Sequence, residues 1–283
     1  MEITTVGIIG AGTMGNGIAQ VCAASGLNVV MVDISDAATQ KGIATVTKNL
    51  DRLVKKEKMS EADKSGVLGR IKTSTNYDEL KSAQLVIEAA TENESLKIKI
   101  LQQVDDLLPA EAIIATNTSS ISITQLAAAT KRADKFVGMH FFNPVPVMAL
   151  VEIINGLQTS DATHEAVKSM AEKLGKTPIS VKNSSGFVVN RLLVPMINEA
   201  FFVLAEGVAT AEDIDIGMKL GCNHPIGPLA LADMIGLDVC LAIMEVLYKE
   251  MGDSKYRASP LLREYVAAGK LGRKTGQGVY SYA

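Results

Sequence analysis

The sequence predicts an α/β protein in which a mostly parallel sheet domain, residues 1–184, precedes an all-α domain, residues 185–283. Short β-rich runs alternate with amphipathic helical stretches as far as the strand predicted at 178–181, a pattern typical of βαβ units. Beyond Gly186 there is little strand signal, and helical periodicity continues. A chain of 283 residues also exceeds what one ordinary core organises, so two domains are expected.

Composition excludes several classes of protein. Hydrophobic residues make up 47% and charged residues 21% of the chain, which is typical of an ordered globular protein. A net charge of -3 and a pI near 5.7 offer no general attraction for nucleic acid or an anionic membrane, so neither is expected as a partner. Three cysteines without a C-x-x-C pair suggest neither a disulfide framework nor a zinc site. With no signal-peptide pattern and no membrane-length apolar stretch, we expect a cytoplasmic protein without a metal.

A glycine-rich turn follows the first predicted strand, residues 5–9, and opens a helix. Its residues are Gly10, Ala11, Gly12, Thr13, Met14 and Gly15. In a dinucleotide site the first glycine permits the turn, the second admits a pyrophosphate and the third lets helix and strand pack closely. Asp33 ends the second strand, where a ribose-binding carboxylate belongs and where it would repel the extra phosphate of NADP. The alternative is a purely structural glycine turn.

A basic helix face follows. Between Asp36 and Lys58 apolar residues recur at helical spacing, while Lys48, Arg52, Lys55 and Lys56 fall on another face. In an acidic protein this face is a candidate for binding ligand phosphates, the alternative being a solvated face.

Two further strands deliver polar residues to the same edge of the sheet. Glu92 and Lys97 follow the apolar run at 85–89, and they either line the cofactor site or serve as capping and solvated residues. The segment 117–120 follows the strand at 112–116. Its hydroxyls and amide either bind a substrate oxygen or cap the helix predicted at 123–129.

His140 lies at the end of an apolar run, and a turn with two prolines separates it from a second run containing Glu152. Folding of the second run beside the first would bring this carboxylate to the imidazole. Such a pair suits a general base for an alcohol proton. The alternative is a structural histidine beside an ordinary surface glutamate.

The other two histidines are expected to be non-catalytic, His164 as a solvated helix residue and His224 as a structural or exposed loop residue. Later helices are predicted from Phe187 to about Glu206, with Asn190 in its first turn, then at 210–221, then one ending near Met251, and then from 259 to 269.

Taken together, these motifs resemble the short-chain L-3-hydroxyacyl-CoA dehydrogenase family, most closely its bacterial 3-hydroxybutyryl-CoA branch, over essentially the whole chain. The motifs are Gly-Ala-Gly-Thr-Met-Gly at 10–15, Asn-Thr-Ser-Ser at 117–120, His-Phe-Phe-Asn-Pro at 140–144, Gly-Phe-Val-Val-Asn-Arg at 186–191 and Gly-Arg-Lys-Thr-Gly at 272–276. One departure is Ser185, where the family usually has proline.

The resemblance implies a Rossmann-like domain whose last strands are antiparallel, followed by a helical domain for substrate binding and homodimer formation. It implies that His140 is the base and Glu152 its partner, with Ser119 and Asn190 hydrogen-bonded to the substrate oxygen. The residues it implies near NAD are those of the glycine turn, Asp33, Glu92, Lys97, Ser119, Asn143 and Lys274. Lys56 matches a coenzyme A contact, which favours the phosphate interpretation for Lys48 and Arg52 as well.

The expected reaction is the NAD-dependent interconversion of (S)-3-hydroxybutyryl-CoA, or a similar short 3-hydroxyacyl-CoA, with the corresponding 3-ketoacyl-CoA. Two other functions are compatible with part of the sequence. One is a non-catalytic, dinucleotide-binding relative of the crystallin kind, which the intact His140 and Glu152 disfavour. The other is a dehydrogenase of a sugar acid or hydroxy acid, which the His-Phe-Phe-Asn-Pro segment disfavours.

Overall fold

The computed structural model describes residues 2–282. The chain divides into two compact units, the first ending at Ser184 and the second beginning at Ser185. The first contains a sheet with helices, and the second is helical. This architecture confirms the predicted fold class.

The sheet of the first unit has eight strands among the described residues, in the order β3-β2-β1-β4-β5-β6-β7-β8. They are β1 Thr5–Ile9, β2 Asn28–Val32, β3 Ile71–Ser74, β4 Leu85–Glu88, β5 Ile113–Thr116, β6 Phe136–Phe141, β7 Leu150–Asn155 and β8 Thr177–Lys182. Neighbouring strands are parallel except β6 and β7, which are antiparallel. Since β1 lies between β2 and β4, strand order reverses there, and such a switch point forms a ligand crevice at the carboxyl ends of the strands.

Helices connect these strands. They are α1 Thr13–Ala24, α2 Asp36–Lys55, α3 Glu61–Gly69, α4 Glu94–Leu107, α5 Ile123–Ala128 and α6 Asp161–Lys173. The predicted capping serine of α3 is confirmed, because Ser60 and Asp63 form a complete capping box. Strands β4, β5 and β6 are buried along their full length, which is why their sequences are nearly continuous apolar runs.

The prediction for His164 is wrong. His164 is buried rather than solvated, and its ring joins two strands. Nδ1 lies 2.8 Å from Asn155 Oδ1 at the end of β7, and Nε2 lies 2.8 Å from Ser180 Oγ on β8. Both partners belong to other elements, so helical periodicity alone could not indicate this burial.

The second unit contains α7 Val189–Ala205, α8 Ala211–Gly221, α9 Pro228–Ile235, α10 Leu237–Met251 and α11 Pro260–Ala267. The predicted helix ending near Met251 is confirmed as α10, but the sequence analysis missed α9, a separate helix before it. Gly236 between them has φ +108°, a left-handed conformation that interrupts a helix and that favours glycine. No helix among residues 2–282 is long and apolar enough to cross a membrane.

Candidate active site

In the turn after β1, close backbone packing within the protein requires glycine at two positions. Gly10 has φ +99°, and a Cβ there would lie 2.7 Å from Ala89 O. A Cβ on Gly15 would lie 1.7 Å from Gly10 O, so no other residue fits this contact between turn and helix. By contrast, a Cβ on Gly12 would meet no protein atom within 4 Å. The space beside Gly12 is therefore open to a ligand.

The start of α1 faces this space. Gly12 is the N-cap, and neither a capping side chain nor an acidic residue occupies the first turn, which includes Thr13, Met14 and Gly15. Unpaired N–H groups at a helix start attract phosphate. Asn16 fixes the turn from below by donating from Nδ2 to Gly12 O at 2.6 Å.

Asp33 follows β2 on the same side of the sheet. Its Oδ2 accepts a hydrogen bond from Ala11 N at 2.6 Å, and Oδ1 accepts one from Ile34 N at 2.7 Å. The carboxylate borders a cavity of about 400 Å³. The cavity is lined by Ala11, Gly12, Thr13, Asn16, Gly17, Asp33, Ala38, Lys41, Thr45, Asn49, Asn143, Pro144, Val145 and Pro146. Because each carboxylate oxygen has a second lone pair, Asp33 can also accept from ribose hydroxyls, and these residues fit a dinucleotide.

His140 and Glu152 are directly opposite each other in the antiparallel pair of β6 and β7. Nδ1 of the histidine lies 2.7 Å from Oε2 of the glutamate, and the side chains are 8% and 0% exposed. The predicted proximity of the two residues is thus confirmed, and the alternative of a surface glutamate is wrong. If Nδ1–H donates to the carboxylate, Nε2 is left with the lone pair that takes up a proton. The Phe142 ring lies 4.6 Å from the imidazole, measured between ring centroids.

Ser119 is held by Glu92. One carboxylate oxygen, Oε1, accepts from both Ser119 N at 2.6 Å and Ser119 Oγ at 2.8 Å, while Oε2 accepts from Thr118 Oγ1 at 2.9 Å. The capping alternative for 117–120 is wrong, because Ser122 caps α5. Asn117 instead accepts from Phe141 N at 2.8 Å through Oδ1, and this bond ties the end of β5 to the strand of His140.

Contrary to the expectation from the sequence, Lys97 does not lie on the surface of the crevice. It is 1% exposed, and its ammonium is bound to the Glu88 carboxylate and lies 3.3 Å from Thr116 Oγ1. Glu92 Oε2 lies 3.9 Å from Nζ of Lys97. Sequence reasoning missed Glu88, the buried acid at the end of β4, because it appeared to be part of an apolar strand.

Helix α2 contributes more to the cavity than the sequence analysis recognised. Lys48, Arg52 and Lys56 are exposed, as a phosphate-binding face requires. Lys41, Thr45 and Asn49 line the cavity itself. Their spacing of four residues places them on one helical face, a signal that was present in the sequence.

Two predicted site residues belong to the second unit. Asn190 is the second residue of α7 and is half-buried. Lys274 lies in a short helical turn, where its ammonium binds both carboxylate oxygens of Asp238, at 2.5 Å and 2.7 Å. Their contacts with substrate and NAD stay predictions.

Comparison with known proteins identifies the family. Residues 5–184 match the model of the 3-hydroxyacyl-CoA dehydrogenase NAD binding domain, and residues 186–282 match that of the C-terminal domain. The chain belongs to the 3-hydroxyacyl-CoA dehydrogenase family. The predicted family, the class of NAD-dependent oxidoreductase and the NAD cofactor are thereby confirmed.

Members of this family similar to the chain include two bacterial proteins named 3-hydroxybutyryl-CoA dehydrogenase. The one from Clostridioides difficile is 51% identical over 275 residues, 97% of this chain and 98% of its own. The one from Bradyrhizobium diazoefficiens is 53% identical over 280 residues, 99% of this chain and 96% of its own. The crystal structure of (S)-3-hydroxybutyryl-CoA dehydrogenase PaaH1 from Ralstonia eutropha superposes with a TM-score of 0.98 at 71% identity and covers 100% of both chains.

The placement of NAD beside Gly12 can be tested by filling the open space at this residue. We expect Gly12→Ala to fold normally, since its φ of -64° suits any residue, but to weaken NADH binding at least tenfold because the methyl group occupies ligand space. NADH fluorescence titration and thermal melting measure the two effects. Gly15→Ala is the matched control and should instead lower the melting temperature. Unchanged NADH affinity in Gly12→Ala would contradict the placement.

Proposed function

We propose that this protein interconverts (S)-3-hydroxybutyryl-CoA and acetoacetyl-CoA, with His140 as the proton-transferring group. The observation that carries the proposal is the position of the His140–Glu152 pair. Asn143, only three residues beyond the histidine, lines the same cavity as Gly12 and Asp33. The general base is therefore joined by a very short segment to the wall of the dinucleotide site.

The chemistry divides between cofactor and protein. NAD, when bound, accepts the hydride from C3 of the hydroxyacyl group, or returns it as NADH in the reverse direction. His140 takes the hydroxyl proton at Nε2 during oxidation and gives it back during reduction. Glu152 fixes the tautomer through Nδ1 and stabilises the imidazolium, and because both groups are buried this attraction is weakly screened.

The oxygen of the reacting carbon needs its own partners. In this proposal Ser119 and Asn190 hydrogen-bond that oxygen, where negative charge gathers during reduction. Support for Ser119 comes from the hydrogen bond of its backbone N–H to Glu92 Oε1, which fixes the residue in its loop. Its hydroxyl donates to the same carboxylate oxygen, so it turns away from Glu92 to donate to the substrate oxygen when substrate binds.

The coenzyme A moiety lies along α2 in this proposal. Its phosphates need cations, and Lys48, Arg52 and Lys56 supply them on the exposed face of the helix. The same helix also contributes polar residues to the cavity beside the glycine turn, namely Lys41, Thr45 and Asn49. The acyl-CoA and the dinucleotide would thus meet near Asn143.

Homodimer formation through the second unit completes the proposal. Large apolar side chains remain exposed on its helices, among them Leu220 at 82% and Leu192 at 70%. The proposal places these side chains in the dimer interface, where they would be covered. We place the protein in the cytoplasm, where the free thiols of Cys22, Cys222 and Cys240 stay reduced.

Cofactor preference tests Asp33. The wild type should prefer NADH strongly over NADPH, since the carboxylate repels a 2′-phosphate. Asp33→Ser should lower the ratio of kcat/KM with NADH to kcat/KM with NADPH at least tenfold. The nearby substitution Asp36→Ser should leave this ratio unchanged. An unaltered ratio in Asp33→Ser would assign the discrimination to another residue.

Substrate binding tests the basic face. Lys56→Ala should raise KM for acetoacetyl-CoA roughly tenfold, because a charge-assisted bond to phosphate contributes about 1.5 to 3 kcal/mol, and it should leave NADH binding unchanged. Lys99→Ala, an exposed lysine on α4, is the control. A KM that responds neither to Lys56→Ala nor to added salt would show that the face is merely solvated.

Substitutions of His140 and Glu152 test their proposed roles in proton transfer. His140→Ala should lower kcat roughly 100-fold to 10,000-fold with NADH binding retained. Glu152→Gln keeps the shape but removes the charge that stabilises the imidazolium, so kcat should fall roughly tenfold to 100-fold. His224→Ala serves as the control and should turn over acetoacetyl-CoA normally. Near wild-type turnover by His140→Ala would refute the assigned base.

A further inference from the structure

The segment 142–149, which joins β6 to β7, is here named the cavity loop. It contributes Asn143, Pro144, Val145 and Pro146 to the wall that faces Gly12 and Asp33. The loop begins directly after the strand of His140, so its position sets both the width of the cavity and the surroundings of the imidazole. What holds the loop in place therefore matters for ligand binding.

The centre of the loop is a single tight turn. The amides of Val147 and Met148 both donate to Pro144 O, at 2.9 Å and 3.0 Å. As at the end of a helix, carbonyls that accept no hydrogen bond within such a turn need partners from outside it. Cationic side chains are well suited to bind carbonyls in this position.

Lys176, which lies between α6 and β8, provides that cation. Its Nζ donates to Val145 O at 2.5 Å, near the start of the turn, and to Met148 O at 2.8 Å, at its end. Burial lowers the pKa of this ammonium from its ordinary value. Since both partners are neutral oxygens, the lysine is used here to organise backbone and not to form an ion pair.

The opposite side of the loop is fixed by packing. Val145 is 2% exposed and lies against α1, where a Cβ on Gly17 would come within 2.9 Å of it. The Val145 side chain thus packs the loop on the helix that opens the dinucleotide site, while Lys176 binds two of the loop's backbone carbonyls. Together the two contacts hold the loop in place relative to Gly12 and Asp33.

We infer that Lys176 is a positioning residue, which holds the cavity loop in the conformation that binds the dinucleotide and keeps Asn143 and Phe142 beside His140. The inference rests on the proposed placement of NAD at this cavity. It does not depend on the identity of the acyl substrate.

The test compares Lys176→Met, which keeps the apolar stem and removes the donors, with Lys176→Arg, which keeps charge and donors. Lys173→Met, an exposed lysine in the last turn of α6, is the matched control. Amide hydrogen exchange of the segment 142–149, NADH affinity, and kcat and KM for acetoacetyl-CoA are measured on the intact protein.

In Lys176→Met we expect exchange in the cavity loop to accelerate about fivefold or more, and the NADH dissociation constant to rise about tenfold, with kcat at saturation within about threefold of wild type. Lys176→Arg should restore most of the affinity, and Lys173→Met should match wild type. Should Lys176→Met not fold, Lys176→Gln, which retains an amide donor, is measured in the same way and should show a smaller change in the same direction.

Unchanged exchange in the cavity loop, or an NADH affinity within twofold of wild type, would overturn the inference. Equal defects in Lys176→Met and Lys173→Met would overturn it as well. Failure of the NAD placement is distinguishable, because loop exchange would then still accelerate in Lys176→Met while Gly12→Ala and Asp33→Ser left NADH binding unaffected.

Discussion

The antiparallel pairing of β6 with β7 is the constraint on which the site depends. Residues directly opposite in such a pair present their side chains on the same face, and the observed register places His140 opposite Glu152. A shift of one residue would turn the glutamate to the other face of the sheet. The register is in turn protected by burial, because Val151 and Ile153 on β7 are fully buried on the opposite face and could not be exposed without loss of core.

The carboxyl ends of the parallel strands supply the remaining chemistry through acids that are already hydrogen-bonded. Asp33 after β2 binds the amide of Ala11, and Glu92 beyond β4 binds Ser119. These bonds join successive loops to one another across the edge of the sheet. Ligand groups consequently meet side chains whose orientation is set before binding, which is the condition for precise hydride and proton transfer.

The features predictable from sequence were those encoded locally. The glycine turn with Asp33, the apolar parallel strands, and the proline turn that brings Glu152 to His140 all depend on neighbouring residues. The misses required tertiary structure. His164 is buried because Asn155 and Ser180 reach it from two strands. The break at Gly236 was not predicted, because its φ of +108° cannot be deduced from periodicity.

The buried pair of Glu88 and Lys97 has an electrostatic consequence for the floor of the crevice. Glu88 ends β4, one residue before the backbone that Gly10 approaches. A lone negative charge at that depth, poorly screened by solvent, would create a potential that opposes the approach of a pyrophosphate to the glycine turn. Lys97 cancels this potential from within the protein. A buried lysine can therefore favour an anionic ligand by leaving the floor of the crevice electrically neutral.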